Sequence, residues 1–239
     1  HRDAPVPGPR PQRGLARGRD RRAETVNEFL SDVQPAIRAA HEHRWDLPVE
    51  CIRFMDAEFS SDWWAMLYAA WTWLRWRAGH PTDAPYRWHR RVLQLLQYGH
   101  GDARRWLLKS PAHLGNLDRL LRQYPDIRIV HTHRDPVRSV PSTVSLSTLM
   151  RTSRANGVDA NLLGQMVVMG YGGMLRKVIE ERGGGVIPPE QITDLHFQDL
   201  MKDPVGAVER AYDALGLPFT AGFADAIREL TSGRGVDLV

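Results

Sequence analysis

Apolar residues recur at helical spacing along most of this chain, and the rhythm changes to short continuous runs around residues 106–108, 127–133 and 191–197. Between Ala23 and His43 the positions Val26, Phe29, Leu30, Val33 and Ile37 keep a helical period. Pro35 falls inside that pattern and predicts a kink or two successive helices. A second stripe, Cys51, Ile52, Met55 and Phe59, predicts a helical segment from about Val49. Trp63, Trp64, Tyr68, Trp71, Trp73 and Trp76 then crowd one stretch. Such density forms either core or the wall of an apolar binding site, and core is the expectation here. Residues 86–98 read as a helix with Trp88, Val92, Leu95 and Leu96 inward and Arg87, Arg90 and Arg91 outward.

The middle of the chain has a different grammar. Trp106-Leu107-Leu108 is an uninterrupted apolar run, as expected of a strand covered on both faces. Ser110-Pro111 supplies a capping hydroxyl and a proline suited to the first helical position. Leu114, Leu117, Leu120, Leu121 and Tyr124 continue that helix until Tyr124-Pro125-Asp126 stops it. Ile127, Ile129 and Val130 open a second strand running to about His133. The result is a βαβ unit, right-handed with parallel strands. Asp135-Pro136 starts the next helix, in which Pro141 predicts a bend just before Ser142. Residues 159–182 form a long helix ending at Gly183-Gly184-Gly185, and Gln191 to Phe197 is a further strand. Asp203-Pro204 caps a helix over 205–215 that closes at Gly216, and Phe219 to Leu230 is the last. The fold class is α/β, a parallel sheet flanked by helices.

Charge changes the picture at one end only. The formal net charge is +4, yet residues 1–22 carry seven arginines against Asp3 and Asp20. The remainder is close to neutral, which argues against a nucleic-acid-binding domain. We therefore expect a disordered Arg/Pro/Gly-rich tail over 1–22 and a single domain over 23–239. The lone cysteine, Cys51, excludes an internal disulfide and any Cys-based metal cluster. No apolar run approaches the length of a membrane span, and a cytoplasmic location is expected.

Lys109 and Arg134 each stand where a predicted strand gives way to a helix. In a parallel sheet those strand ends share one edge, where helix N-termini add unpaired N–H groups. The pair forms either an anion site or two solvated strand-end charges. Lys109-Ser110-Pro111-Ala112-His113-Leu114, then Val130-His131-Thr132-His133-Arg134-Asp135-Pro136 and Ser142, resembles the sulfotransferase family, in particular its bacterial group with LKSPxHL and THRDP segments. The resemblance spans roughly residues 35–220.

It implies a P-loop NTPase-like sulfotransferase fold and transfer of a sulfuryl group from 3′-phosphoadenosine 5′-phosphosulfate (PAPS) to a hydroxyl or amine of a small-molecule acceptor. By the resemblance, Lys109 faces the leaving phosphate, Ser110 belongs with the cofactor-binding residues, and Arg134 with Ser142 holds the 3′-phosphate. His113 is either the general base or a structural residue of the strand–helix corner, and Glu50 is the other candidate base. His196 stands where the family places an aromatic against adenine, and Arg234, in Gly233-Arg234-Gly235, lies where a second 3′-phosphate loop begins. His131 and His133 share a strand face, but with no third ligand in view no metal site is expected.

Residues 1–60 contain neither the family's Gly-rich 5′-phosphate loop nor its first strand, and little chain follows Arg234. The fold is accordingly expected to be incomplete at both ends, with an exposed sheet edge that favours homo-oligomers. The alternative function is a truncated or degenerate relative that binds 3′-phosphoadenosine nucleotides without turnover. A P-loop kinase is disfavoured, because no Walker lysine loop is present. The aromatic stretch points to a lipid, sterol or phenol as acceptor.

Overall fold

A computed structural model describes residues 49–100 and 105–232 apart from residues 60 and 62, together with scattered residues between 21 and 36. After a 3-10 segment, Cys51–Glu58, come the helices α1 (Trp63–Leu67), α2 (Trp71–Gly79) and α3 (Ala84–His100). A second 3-10 segment, Pro111–Asn116, leads into α4 (Leu117–Gln123) and strand β1 (Ile129–His133). Helices α5 (Pro136–Thr152) and α6 (Ala160–Gly183) carry the chain to β2 (Ile192–His196). Then follow α7 (Phe197–Lys202), α8 (Pro204–Ala214) and α9 (Ala221–Ser232). The strands pair in parallel, Ile129 opposite Ile192 and His133 opposite His196. The architecture is α/β: a small parallel sheet among helices.

One cluster forms the centre. Met55, Tyr86, Leu117, Leu120, Val178, Ile187 and Ile192 are buried together, with Leu114, Leu121, Tyr124, Ile127 and Ile129 packed around them. Each such aliphatic side chain contributes roughly 1.5–3 kcal/mol relative to exposure. Helix starts are set locally by side chains that accept amide hydrogens. Ser110 accepts from Ala112 N, Asp135 from Val137 N, Asp159 from Asn161 N and Leu162 N, and Asp203 from Gly206 N. Each cap contributes about 1 kcal/mol. Gly206 is needed beside its cap, since a Cβ there would collide with the Asp203 carboxylate.

Several expectations are corrected. Residues 105–110 form no strand: among the described residues the sheet has only β1 and β2, and Leu107 is 89% exposed. The segment is anchored instead by the Lys109 carbonyl, which accepts from Cys51 N at 3.0 Å. The parallel crossover therefore runs from β1 through α5 and α6 to β2. Phe59 closes its 3-10 segment with φ 51° and lies exposed rather than inward. On α3 the buried face is Tyr86, His89 and Leu93, because a histidine completes the stripe, and this turns Leu95 out to solvent.

Among the described side chains, no aromatic of the stretch is buried in the core. Helix α2 has no buried residue, Trp76 and Tyr68 are exposed, and Trp64 stacks between Phe59 and Tyr68 at 5.7 and 6.0 Å. Helix α5 continues through Pro141. The carbonyl that residue 141 would engage belongs to Val137, which is exposed, so water can satisfy it. The expected tail lies outside the described residues, save Arg21 and Arg22, which are helical and exposed.

Candidate functional site

Lys109 and Glu50 are brought together. The backbone bond from Cys51 N to the Lys109 carbonyl lays residues 50–51 alongside residue 109. The Lys109 ammonium then reaches the Glu50 carboxylate in a direct ion pair. The lysine side chain is exposed and the glutamate half-buried, so the pair sits at a rim that a ligand can reach. A mobile ammonium beside a carboxylate can stabilise a departing oxyanion and accept a proton at neighbouring points.

His113 turns inward from the same segment. Its Nδ1 lies 3.0 Å from the Tyr86 hydroxyl. Burial, reinforced by neighbouring His89, pushes its pKa down to about 4. Burial does the same to His89, also to about 4, and its Nδ1 lies 2.7 Å from the Tyr124 hydroxyl. Cys51 is buried beside them, and its thiol is pushed up to about 11 by desolvation. The Ser110 hydroxyl caps the turn that carries His113.

A second group forms at the carboxyl ends of the strands. The Arg134 guanidinium lies 4.7 Å over the Phe197 ring. The register that sets His133 opposite His196 stacks their rings at 5.0 Å, with His131 4.1 Å from His133. Asp194 accepts from Arg182 through both oxygens, at 2.8 and 2.9 Å, and meets His133 Nε2 at 2.7 Å. These partners, the arginine above all, hold its carboxyl well below the usual range. Sequence reading supplied no third ligand for His131 and His133, yet Asp194 comes within reach of both. The pairing register carries it there, and a single-strand reading cannot show that. Both Asp194 oxygens are already engaged by Arg182.

Ser142 is exposed on α5, and Arg234 lies outside the described residues. Sequence reading placed the strand-end aromatic role on His196 and passed over Phe197. A bulky aromatic one residue past the strand, at the start of α7, was the available signal.

A family model described as the sulfotransferase family matches residues 3–221. Omega-hydroxy-beta-dihydromenaquinone-9 sulfotransferases of Mycobacterium bovis and Mycobacterium tuberculosis are each 31% identical over 132 residues, covering 54% of this chain and 34% of theirs. The chain thus spans about a third of the length of the curated relatives it matches. A sulfotransferase of Mycobacterium avium superposes with a TM-score of 0.73 at 23% identity, over 80% of this chain and 48% of that one. One of Mycobacterium tuberculosis H37Rv gives 0.71 at 24%, over 93% and 61%. At these identities the likeness shows the fold.

Proposed function

This chain belongs to the sulfotransferase family, and on that premise we propose that it transfers a sulfuryl group from PAPS to a hydroxyl or amine of a small, largely apolar acceptor. The observation that carries the reading is the rim pair of Lys109 and Glu50. PAPS supplies the group as a phosphosulfate anhydride, whose sulfur–oxygen bond to phosphate breaks as the bond to the acceptor oxygen forms. Lys109 stabilises the negative charge left on the departing phosphate. Glu50 takes the acceptor's proton, and it is favoured over His113, whose imidazole is turned into the protein and desolvated. Sulfuryl transfer, like phosphoryl transfer, depends chiefly on positioning and charge stabilisation, and two facing side chains suit that demand.

Arg134 is the proposed 3′-phosphate residue. The Phe197 ring holds its guanidinium plane, and the side chain is exposed. Ser142 and Ser110 are proposed to donate hydroxyls to the nucleotide, His196 to stack near the base, and Arg234 to join the phosphate. For the acceptor, the row Phe59, Trp64 and Tyr68, exposed at its two ends, offers an apolar wall. The relatives named for a hydroxylated menaquinone make a lipid or phenol the first acceptors to try.

Turnover with radiolabelled PAPS and a panel of hydroxylated lipids and phenols tests the reading. Glu50→Gln is expected to lower kcat on the order of 10²–10⁴-fold, and Lys109→Ala on the order of 10²–10³-fold. Unchanged rates in both variants would remove them from the mechanism. Calorimetry with 3′-phosphoadenosine 5′-phosphate separates binding from chemistry: Arg134→Ala should weaken it by roughly 10–100-fold, as for a lost charged hydrogen bond. Nucleotide binding without turnover of any acceptor would mark a degenerate relative.

A further inference from the structure

We propose that Cys51, His89 and His113 form a buried zinc site beneath the Lys109–Glu50 pair. The three residues come from different elements: the 3-10 segment Cys51–Glu58, helix α3, and the 3-10 segment Pro111–Asn116. One ligand atom of each lies within 4.8 Å of the others, and bound zinc would draw such atoms to roughly 3.3–3.8 Å apart. Closure by about 1 Å is within reach of side-chain rotation. One thiolate and two imidazoles are a borderline-soft set that suits Zn²⁺ and leaves its fourth position to water or a small anion.

The surroundings are those of a metal site rather than of an ordinary histidine core. Each imidazole has Nδ1 against a tyrosine hydroxyl, His89 against Tyr124 and His113 against Tyr86. Those contacts fix the rings and leave Nε2 of each for coordination. His89 is 0% exposed, and its Nε2 is buried with no hydrogen-bond partner among the described residues. A buried, unpartnered ring nitrogen is costly to leave unsatisfied. The two rings stand at 84° with centroids 6.0 Å apart, so they do not stack on each other. The ligating forms are a thiolate and two neutral imidazoles, so coordination would displace the proton of the Cys51 thiol.

The location gives the ion a role. Cys51 follows Glu50 directly and donates its N–H to the Lys109 carbonyl, while His113 lies one turn beyond Lys109. Zinc would tie together the two segments that present Glu50 and Lys109, and α3 behind them. The inference stands on the cluster's own geometry and does not depend on the sulfuryl-transfer reading.

The test uses the full chain, stripped with a chelator and titrated with Zn²⁺ against a chromophoric competitor, then with Co²⁺. A single tight zinc ion is expected. Cys51→Ser and His89→Gln should each weaken it at least about 100-fold, and Tyr124→Phe by about 10–100-fold. The cobalt adduct of the wild type should show a thiolate-to-metal charge-transfer band. Absence of tight zinc uptake, or a cobalt adduct without that band, overturns the proposal even if the ligand variants fail to fold. Loss of binding in His131→Asn with full binding in a folded Cys51→Ser would do the same, placing the ion on the strand face.

Discussion

Asp194 has two basic side chains against it: Arg182 grips both oxygens, and His133 approaches one of them. Its depressed pKa has a definite consequence for stability. A carboxyl more acidic in the folded state than in the unfolded chain stabilises the fold fully above its unfolded pKa, near 4. That contribution is lost as pH falls through the folded value. Arg182→Ala should therefore cost about 1 kcal/mol at neutral pH, discounted for the partial exposure of the pair. The deficit against wild type should shrink as pH falls below about 4. Urea denaturation of both proteins between neutral and acid pH measures it, and a pH-independent deficit would point to lost packing instead. At this scale the sequence was legible wherever a residue acts on its own neighbours. Ser110, Asp135 and Asp203 cap the helices expected of them. The partners of His133, His113 and Glu50 lie 27 or more residues away, at Asp194, Tyr86 and Lys109, and nothing local announces them.

Among the elements, the clearest divergence is the run Trp106-Leu107-Leu108. As a strand covered on both faces it would bury Leu107, and Leu107→Ala would then cost about 2–5 kcal/mol. In the structure Leu107 is 89% exposed, and the same change should fall within about 0.5 kcal/mol of wild type. Chemical denaturation of the one variant separates these outcomes. The run misleads because three apolar residues say nothing of what covers them, and coverage is decided by distant chain. Helices α6 and α8 were legible for the opposite reason, since caps and stops lie within each segment, whereas the helix expected from Ser110 opens as the 3-10 segment Pro111–Asn116 and becomes α-helical only at Leu117. The aromatic stretch and α3 fall between. Helix α3 forms as expected and the aromatic stretch, read only as core or wall, turns out helical, but which face is buried depends on what packs there, and on α3 the inward stripe runs through the polar residue His89.

At the scale of the whole molecule, the described residues share one central buried cluster. Met55 comes from the segment after Glu50, Tyr86 from α3, Leu117 and Leu120 from α4, Val178 from α6, and Ile192 from β2. Elements that carry Glu50, Lys109 and the strand-end histidines thus lean on the same cluster, and the candidate site has no separate foundation. Leu117 is 3% exposed and follows directly on the segment bearing His113, so shortening it removes packing beneath the site as well as from the centre. Leu117→Ala should destabilise the chain by about 2–5 kcal/mol. A shared centre further requires that unfolding remain a single transition, so tryptophan fluorescence, which samples the aromatic stretch and α3, should coincide with far-ultraviolet circular dichroism in wild type and variant alike. Separate midpoints would mean that the segments carrying Glu50 and Lys109 unfold apart from β1, β2 and α6, and that the site rests on packing of its own.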